Sequence, residues 1–127
     1  MINFISEVLD KHNISCNIGS NQEGTKGDLI ATIGPMVAGG IVLSGHTDTV
    51  PVEGQHWDSD PFTLRQKNKL VFGRGSCDMK GFIAVVLSLI SEIQTQTLKV
   101  PIHLAFSYDE EVGCLGAPGL IARLIRD

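Results

Sequence analysis

The stretch "GGIVLSGHTDTVP", residues 39–51, sets a short apolar run against a polar turn that carries a histidine and an aspartate. Ile41, Val42 and Leu43 are consecutive rather than alternating, the pattern of a strand buried on both faces in a sheet covered by helices. His46 and Asp48 follow at once, two residues apart. In open α/β sheets, ligands collect just outside the carboxyl ends of strands, which is where this pair falls.

The flanking sequence repeats that scheme. Upstream, Ile2, Ile5, Val8 and Leu9 recur at helical spacing and predict a helix ending near Asn13, with Asn3 or Ser6 as its cap. Leu29–Ile33 reads as a strand entered from a glycine-rich polar loop, and "PMVAG" as the turn that follows it. Residues 51–69 are loop-like, with a small hairpin expected over Phe62–Arg65 and Leu70–Phe72. Phe82, Val85, Val86, Leu89, Ile90 and Ile93, three and four apart, predict one long helix. Ile102–Ser107 reads as a strand with Ile102, Leu104 and Phe106 on one face. Leu120, Ile121, Leu124 and Ile125 predict a last helix running to the end of the chain. This order gives an α/β fold in three layers, helices packed on a mostly parallel or mixed sheet.

Composition narrows the class. A chain of 127 residues is one domain's worth, 43% hydrophobic and 19% charged, which is globular and not disordered. A net charge of −4 with no lysine or arginine run gives no footprint for nucleic acid. Cys16, Cys77 and Cys114 are odd in number and widely spaced, so they form no disulfide framework and suit a reducing compartment. "MINFISEVLDKH" lacks signal-peptide architecture, and no apolar run approaches the roughly 20 residues of a membrane span, so a cytoplasmic address is expected.

Three polar clusters then stand out: His46 with Asp48, Asp78 before the longest helix, and Asp109, Glu110 and Glu111 after the strand beginning at Ile102. One imidazole with several carboxylates and no thiolate beside them is a ligand set for zinc, manganese or cobalt. His46 can give a ring nitrogen to an ion while Asp48 accepts the other ring N–H and fixes the tautomer. Asp78 has two oxygens with which to bridge a pair of ions. Glu110 and Glu111, being adjacent, point different ways, which suggests one as ligand and one as base. Plainer readings exist for each: His46 as a surface histidine, Asp78 as a helix cap, the acids as solvated loop. His12, His56 and His103 have no carboxylate partner in a tight motif, and Cys77 reads as a small buried residue. The glycines of "GRGSCDMKG" lack phosphate-loop spacing.

"SGHTDTVPVEGQHWDSDPFTL", "GRGSCDMKGFIA" and "SYDEEVGCLGA" together resemble the amino-terminal half of the catalytic domain of the M20 family of metallopeptidases and deacylases. The resemblance covers nearly all of the chain from Lys26 onward. It implies that residues 1–127 are the N-terminal part of a hydrolase catalytic domain, without the lid and dimerisation domain and the C-terminal part. It implies two divalent metal ions, Zn2+ or Co2+, with His46, Asp78 and Glu111 as metal ligands and Asp78 bridging. Glu110 is then the general base and Asp48 the support of His46, and a cis peptide is expected at Asp78–Met79. The implied substrate is a small N-acyl amino acid, the full-length enzyme being a homodimer. "WDSDPF", "CDMKGF" and "YDEEVGC" are similar to the branch that acts on acetylornithine, with succinyl-diaminopimelate hydrolysis, another aminoacyl hydrolase or a non-catalytic module as alternatives. The 127-residue chain alone is expected to be inactive, because the family's remaining metal ligands lie further along.

Overall fold

A computed structural model describes residues 1–125. The elements run α1 (Ile2–Lys11), β1 (Cys16–Ser20), β2 (Gly27–Ile33), β3 (Ile41–His46), β4 (Arg65–Lys67), β5 (Leu70–Phe72), α2 (Lys80–Ser88), α3 (Ile90–Gln94), β6 (Ile102–Ser107) and α4 (Ala117–Leu124). Four strands form one sheet in the order β1-β2-β6-β3, while β4 and β5 make a separate hairpin. β1 with β2 and β2 with β6 are antiparallel; β3 with β6 is parallel. The sheet is mixed, the second of the two arrangements expected.

Successive side chains on a strand face opposite ways, and this period divides the core in two. Leu29, Ala31 and Ile33 of β2 and Leu104 and Phe106 of β6 pack with Ile5 and Leu9 of α1, Ile83 and Val86 of α2 and Ile90 of α3. The residues between them, Ile30 and Ala105, face the other way and pack with Leu120 and Leu124 of α4. Helices thus cover both faces, which completes the three layers.

Several elements depart from the sequence expectation for local reasons. β1 has no apolar alternation strong enough to announce it; its pairing with β2 follows from a loop nucleated by Asn21, whose side-chain oxygen accepts the backbone N–H groups of Thr25 and Lys26, each at 2.9 Å. β3 is not buried on both faces: Ile41 and Val42 are 55% and 46% exposed. Among the described residues it pairs only with β6, so an apolar run that reads as central occupies an edge. The expected long helix is two, α2 and α3. The Ser88 hydroxyl donates back to the Val85 carbonyl at 2.8 Å, the kind of bond that competes with the helical ladder and bends it. Ile83, Val86 and Ile90 make the buried face, while Val85 and Leu89 stay exposed.

The hairpin begins at Arg65, not Phe62, because the Asp60 carboxylate accepts from Phe62 N–H and the Thr63 hydroxyl and turns that segment into a loop. Met1 stands at the N-cap of α1, so neither Asn3 nor Ser6 caps it. The helix does stop where expected, with Asn13 in the left-handed region at φ 57°. Cys77 is exposed rather than buried. The expectation that the last helix runs to the chain end falls on Arg126 and Asp127, outside the described residues.

α4 is anchored by charge as well as by Leu120. The Asp28 side chain is 4% exposed; it receives the Gly19 N–H at 3.2 Å and the Arg123 guanidinium. A buried carboxylate stripped of its partner is strongly unfavourable, whereas neutralising both partners is not. Arg123→Met therefore lowers unfolding free energy by about 3 kcal/mol in a urea titration. Adding Asp28→Asn restores most of it; a single variant as stable as wild type removes the anchoring role.

Candidate metal centre

The parallel pairing of β3 with β6 builds the site. Their register places His46 opposite Ser107, so both strands deliver their carboxyl ends, and the polar residues after them, to one rim. Thr47 fixes that rim, donating its backbone N–H at 2.9 Å and its hydroxyl at 3.1 Å to the Ser107 carbonyl. The loop carrying Asp78 enters from the third side, immediately before α2. Its glycines answer to close approach: a Cβ on Gly81 would collide with the Ser76 carbonyl oxygen, and one on Gly75 would stand 2.7 Å from Thr49 Cγ2. Asp78 and Met79 are joined by a cis peptide, as the resemblance implies.

His46 is 5% exposed and central. Its Nε2 lies 3.1 Å from Asp78 Oδ1 and 3.9 Å from Glu110 Oε2. Its Nδ1 is 3.2 Å from the Asp48 backbone carbonyl and 3.4 Å from the Asp48 carboxylate. Nδ1 facing two acceptors carries the proton in the neutral ring, which leaves the Nε2 lone pair directed at Asp78. Ligand atoms of His46, Asp78 and Glu111 all lie within 4.8 Å of one another. Two ligands on one zinc ion stand at most about 4.2 Å apart, given bonds near 2.1 Å. The His46–Asp78 pair, at 3.1 Å, already falls inside that limit, and the Asp78 side chain is 74% exposed. Imidazole and carboxylates in this arrangement fit a divalent cation.

The structure gives Asp48 a wider part than the sequence suggested. Its carboxylate accepts the backbone N–H groups of Glu110 at 3.2 Å and Glu111 at 3.1 Å, while its backbone carbonyl faces His46. It therefore ties the loop after β3 to the loop after β6. Burial would raise its pKa, but those two N–H bonds prevail and hold it below the usual carboxylate value. For His46, burial would lower the value, yet the hydrogen bond to Asp78 and the charges of Asp48 and Glu110 outweigh it and raise it above 6.5.

All five residues picked from sequence thus meet at one rim. His12 and His56 stay apart from it, and His103 is occupied with Thr32 Oγ1 and the Gly39 carbonyl. Sequence reading placed Asp109 in the acidic cluster without a role of its own; it is buried and left-handed at φ 55°. Sequence reading passed over Lys80, whose ammonium burial pushes below its usual range against the opposing charge of Asp48. A further omission is the Arg74 guanidinium, stacked 5.1 Å over the Trp57 ring and donating to the Pro51 carbonyl. Only the Arg and Trp in "QHWDSDPF" and "GRGS" could have hinted at this last contact. A groove of about 980 Å³ lies at the opposite rim around Ile33, Gly34 and Leu98 and holds none of the five.

Fold and site together define a three-layer α/β domain with a candidate His–Asp–Glu metal site at the carboxyl ends of parallel strands. The chain belongs to Peptidase family M20/M25/M40, whose profile matches residues 42–127. It is similar to acetylornithine deacetylase of Proteus mirabilis, 39% identical over 119 residues, covering 92% of this chain and 30% of that protein. The same enzyme from Erwinia tasmaniensis is 44% identical over 80 residues, covering 63% of this chain and 21% of the relative. The fold is similar to human carnosine dipeptidase 1 (TM-score 0.77, 24% identity, 97% of this chain and 28% of that one). It is equally similar to the M20 family metallo-carboxypeptidase Sso-CP2 of Sulfolobus solfataricus (TM-score 0.77, 21% identity, 98% and 28%). The chain spans between a fifth and a third of the length of these relatives. No helix among the described residues is long and apolar enough to cross a membrane.

The shifted groups set a pH dependence. A raised His46 contributes stability that is complete below its ordinary value of 6.5 and lost as pH rises through the raised one. A depressed Asp48 contributes stability present above its ordinary 3.8 and lost as pH falls through the lowered value. The metal-free chain should lose stability as pH rises above 6.5, while zinc, which needs the neutral ring, binds more tightly over the same interval. Urea midpoints and zinc titrations at several pH values check this; His46→Gln abolishes both slopes.

Proposed function

We propose that this chain is the N-terminal part of the catalytic domain of a metal-dependent amide hydrolase that removes the acetyl group from N2-acetyl-L-ornithine, giving L-ornithine and acetate. The observation that carries the reading is the convergence of His46, Asp78 and Glu111 with a second carboxylate, Glu110, beside them. Similarity to the acetylornithine deacetylases supports the substrate. The acyl amino acid is the small-molecule partner. Two divalent ions, Zn2+ or Co2+, are the proposed cofactors, completed by ligands from the rest of a longer, homodimeric enzyme.

His46, Asp78 and Glu111 would hold the ions. Bound there, divalent cations supply Lewis-acid polarisation of the scissile carbonyl and acidify water. Glu110 is left free of that duty and takes the proton from the attacking water, then passes it to the departing amine as the C–N bond breaks. Asp48 keeps the His46 ring in the tautomer that presents Nε2 and holds both glutamates by their backbone. An amide is thereby split by water into acetate and amine, with no redox partner required.

Substituting residues 1–127 for the matching segment of the Proteus mirabilis enzyme tests the assignment. The chimera should release acetate from N-acetylornithine in preference to N-succinyl-diaminopimelate or dipeptides; the reverse preference would overturn the substrate. Glu110→Ala in that chimera should cut turnover by at least about 100-fold while metal analysis finds both ions retained. Loss of an ion with turnover kept would reject Glu110 as the base. The 127-residue chain alone should show one weak zinc site by calorimetry, since three ligands are shared between two ions; two tight sites would defeat that reading.

A further inference from the structure

Asp109 is a buried carboxylate that none of the steps above employs. It sits directly before Glu110 and Glu111, and its backbone is left-handed at φ 55°, a region that costs an ordinary L-residue about 1–2 kcal/mol and that Asp tolerates better than most. Its carbonyl accepts the Leu115 N–H at 3.1 Å, and the next two N–H groups along the chain are those given to Asp48. Any rotation about Asp109 therefore swings both glutamates off the Asp48 carboxylate and away from His46.

One cation holds Asp109 in place. Lys26 Nζ lies 2.5 Å from Asp109 Oδ2, across 83 residues of sequence. The Lys26 backbone is itself fixed: its N–H donates to the Asn21 side chain at 2.9 Å and its carbonyl accepts the Asn21 N–H at 3.0 Å, just ahead of β2. Exposed ion pairs contribute little, but the Asp109 side chain is only 13% exposed, and Asp48, Asp78, Glu110 and Glu111 crowd the same rim with negative charge. An unpaired Asp109 would leave that crowd for solvent.

We propose that Lys26 is a positioning residue for the metal centre: its ion pair with Asp109 holds the turn that aims Glu110 and Glu111. The inference rests on the metal-centre reading above, and it predicts the opposite sign from simple electrostatics. Removing a cation near a cation site strengthens metal binding by Coulomb's law alone. If Lys26 works by geometry, its removal weakens binding instead.

Zinc titration of the 15N-labelled chain, followed by amide NMR, reads both affinity and geometry. Lys26→Met should weaken zinc about tenfold, the usual scale for losing a group that orients ligands. Lys26→Arg should stay near wild type. Asp109→Asn, which keeps a residue tolerant of the left-handed region, should weaken zinc as well, and the double variant should be no weaker than Asp109→Asn. In the metal-free state the Glu110 and Glu111 amides should shift in both single variants. Lys26 is half exposed and outside the core, so Lys26→Met should keep its amide dispersion; should it unfold, Asp109→Asn carries the same comparison. Zinc bound by Lys26→Met as tightly as by wild type, or more tightly, with those amides unmoved, overturns the proposal alone. A wild-type chain whose His46, Asp78 and Glu111 resonances ignore zinc overturns the metal-centre reading, and this proposal with it.

Discussion

The parallel pairing of β3 with β6 is the constraint on which the site depends. Strands from residues 41–46 and 102–107 are far apart in sequence, yet their register sets His46 against Ser107 and so brings two polar turns to one edge. An antiparallel pairing of the same strands would send His46 to one rim and the glutamates to the other. The hydrogen bonds from Thr47 to Ser107, and from Glu110 and Glu111 to Asp48, lock the two turns together only because that pairing has already placed them side by side.

Around this rim the protein concentrates like charge, which must be compensated. Asp48 is satisfied by backbone N–H groups and Asp109 by Lys26. Asp78, Glu110 and Glu111 remain the more exposed members, the state suited to carboxylates that meet a cation or a water proton. Asp28 with Arg123 shows the other use of a buried acid: it anchors a helix. The same residue type thus serves structure in one layer and chemistry at the edge of another, according to what partners it is given.

Much of the fold was legible in the sequence because periodicity is a local property. Leu104 and Phe106 alternate as a strand should, and α1 ends at Lys11, two residues before a left-handed Asn13. The misreadings come where a local signal met a non-local partner. Ile41 and Val42 read as a doubly buried strand but occupy an edge. Residues 82–93 read as one helix but break where Ser88 turns its hydroxyl onto the Val85 carbonyl. β1 was invisible because its pairing owes more to the Asn21 loop than to its own residues.

By itself the sequence determined the chemistry on offer: one imidazole, a set of carboxylates, and their placement just after strands or just before a helix, in three motifs ordered as in the M20 family. Those are decided within a few residues, by residue type and spacing. Which of the acids share a centre was decided only by tertiary structure, through contacts between residues 32 to 83 positions apart in the chain. That distance is why Lys26 gave no sign of belonging to the site. A lysine in a polar loop acquires its meaning from the buried carboxylate that the folded chain carries to it.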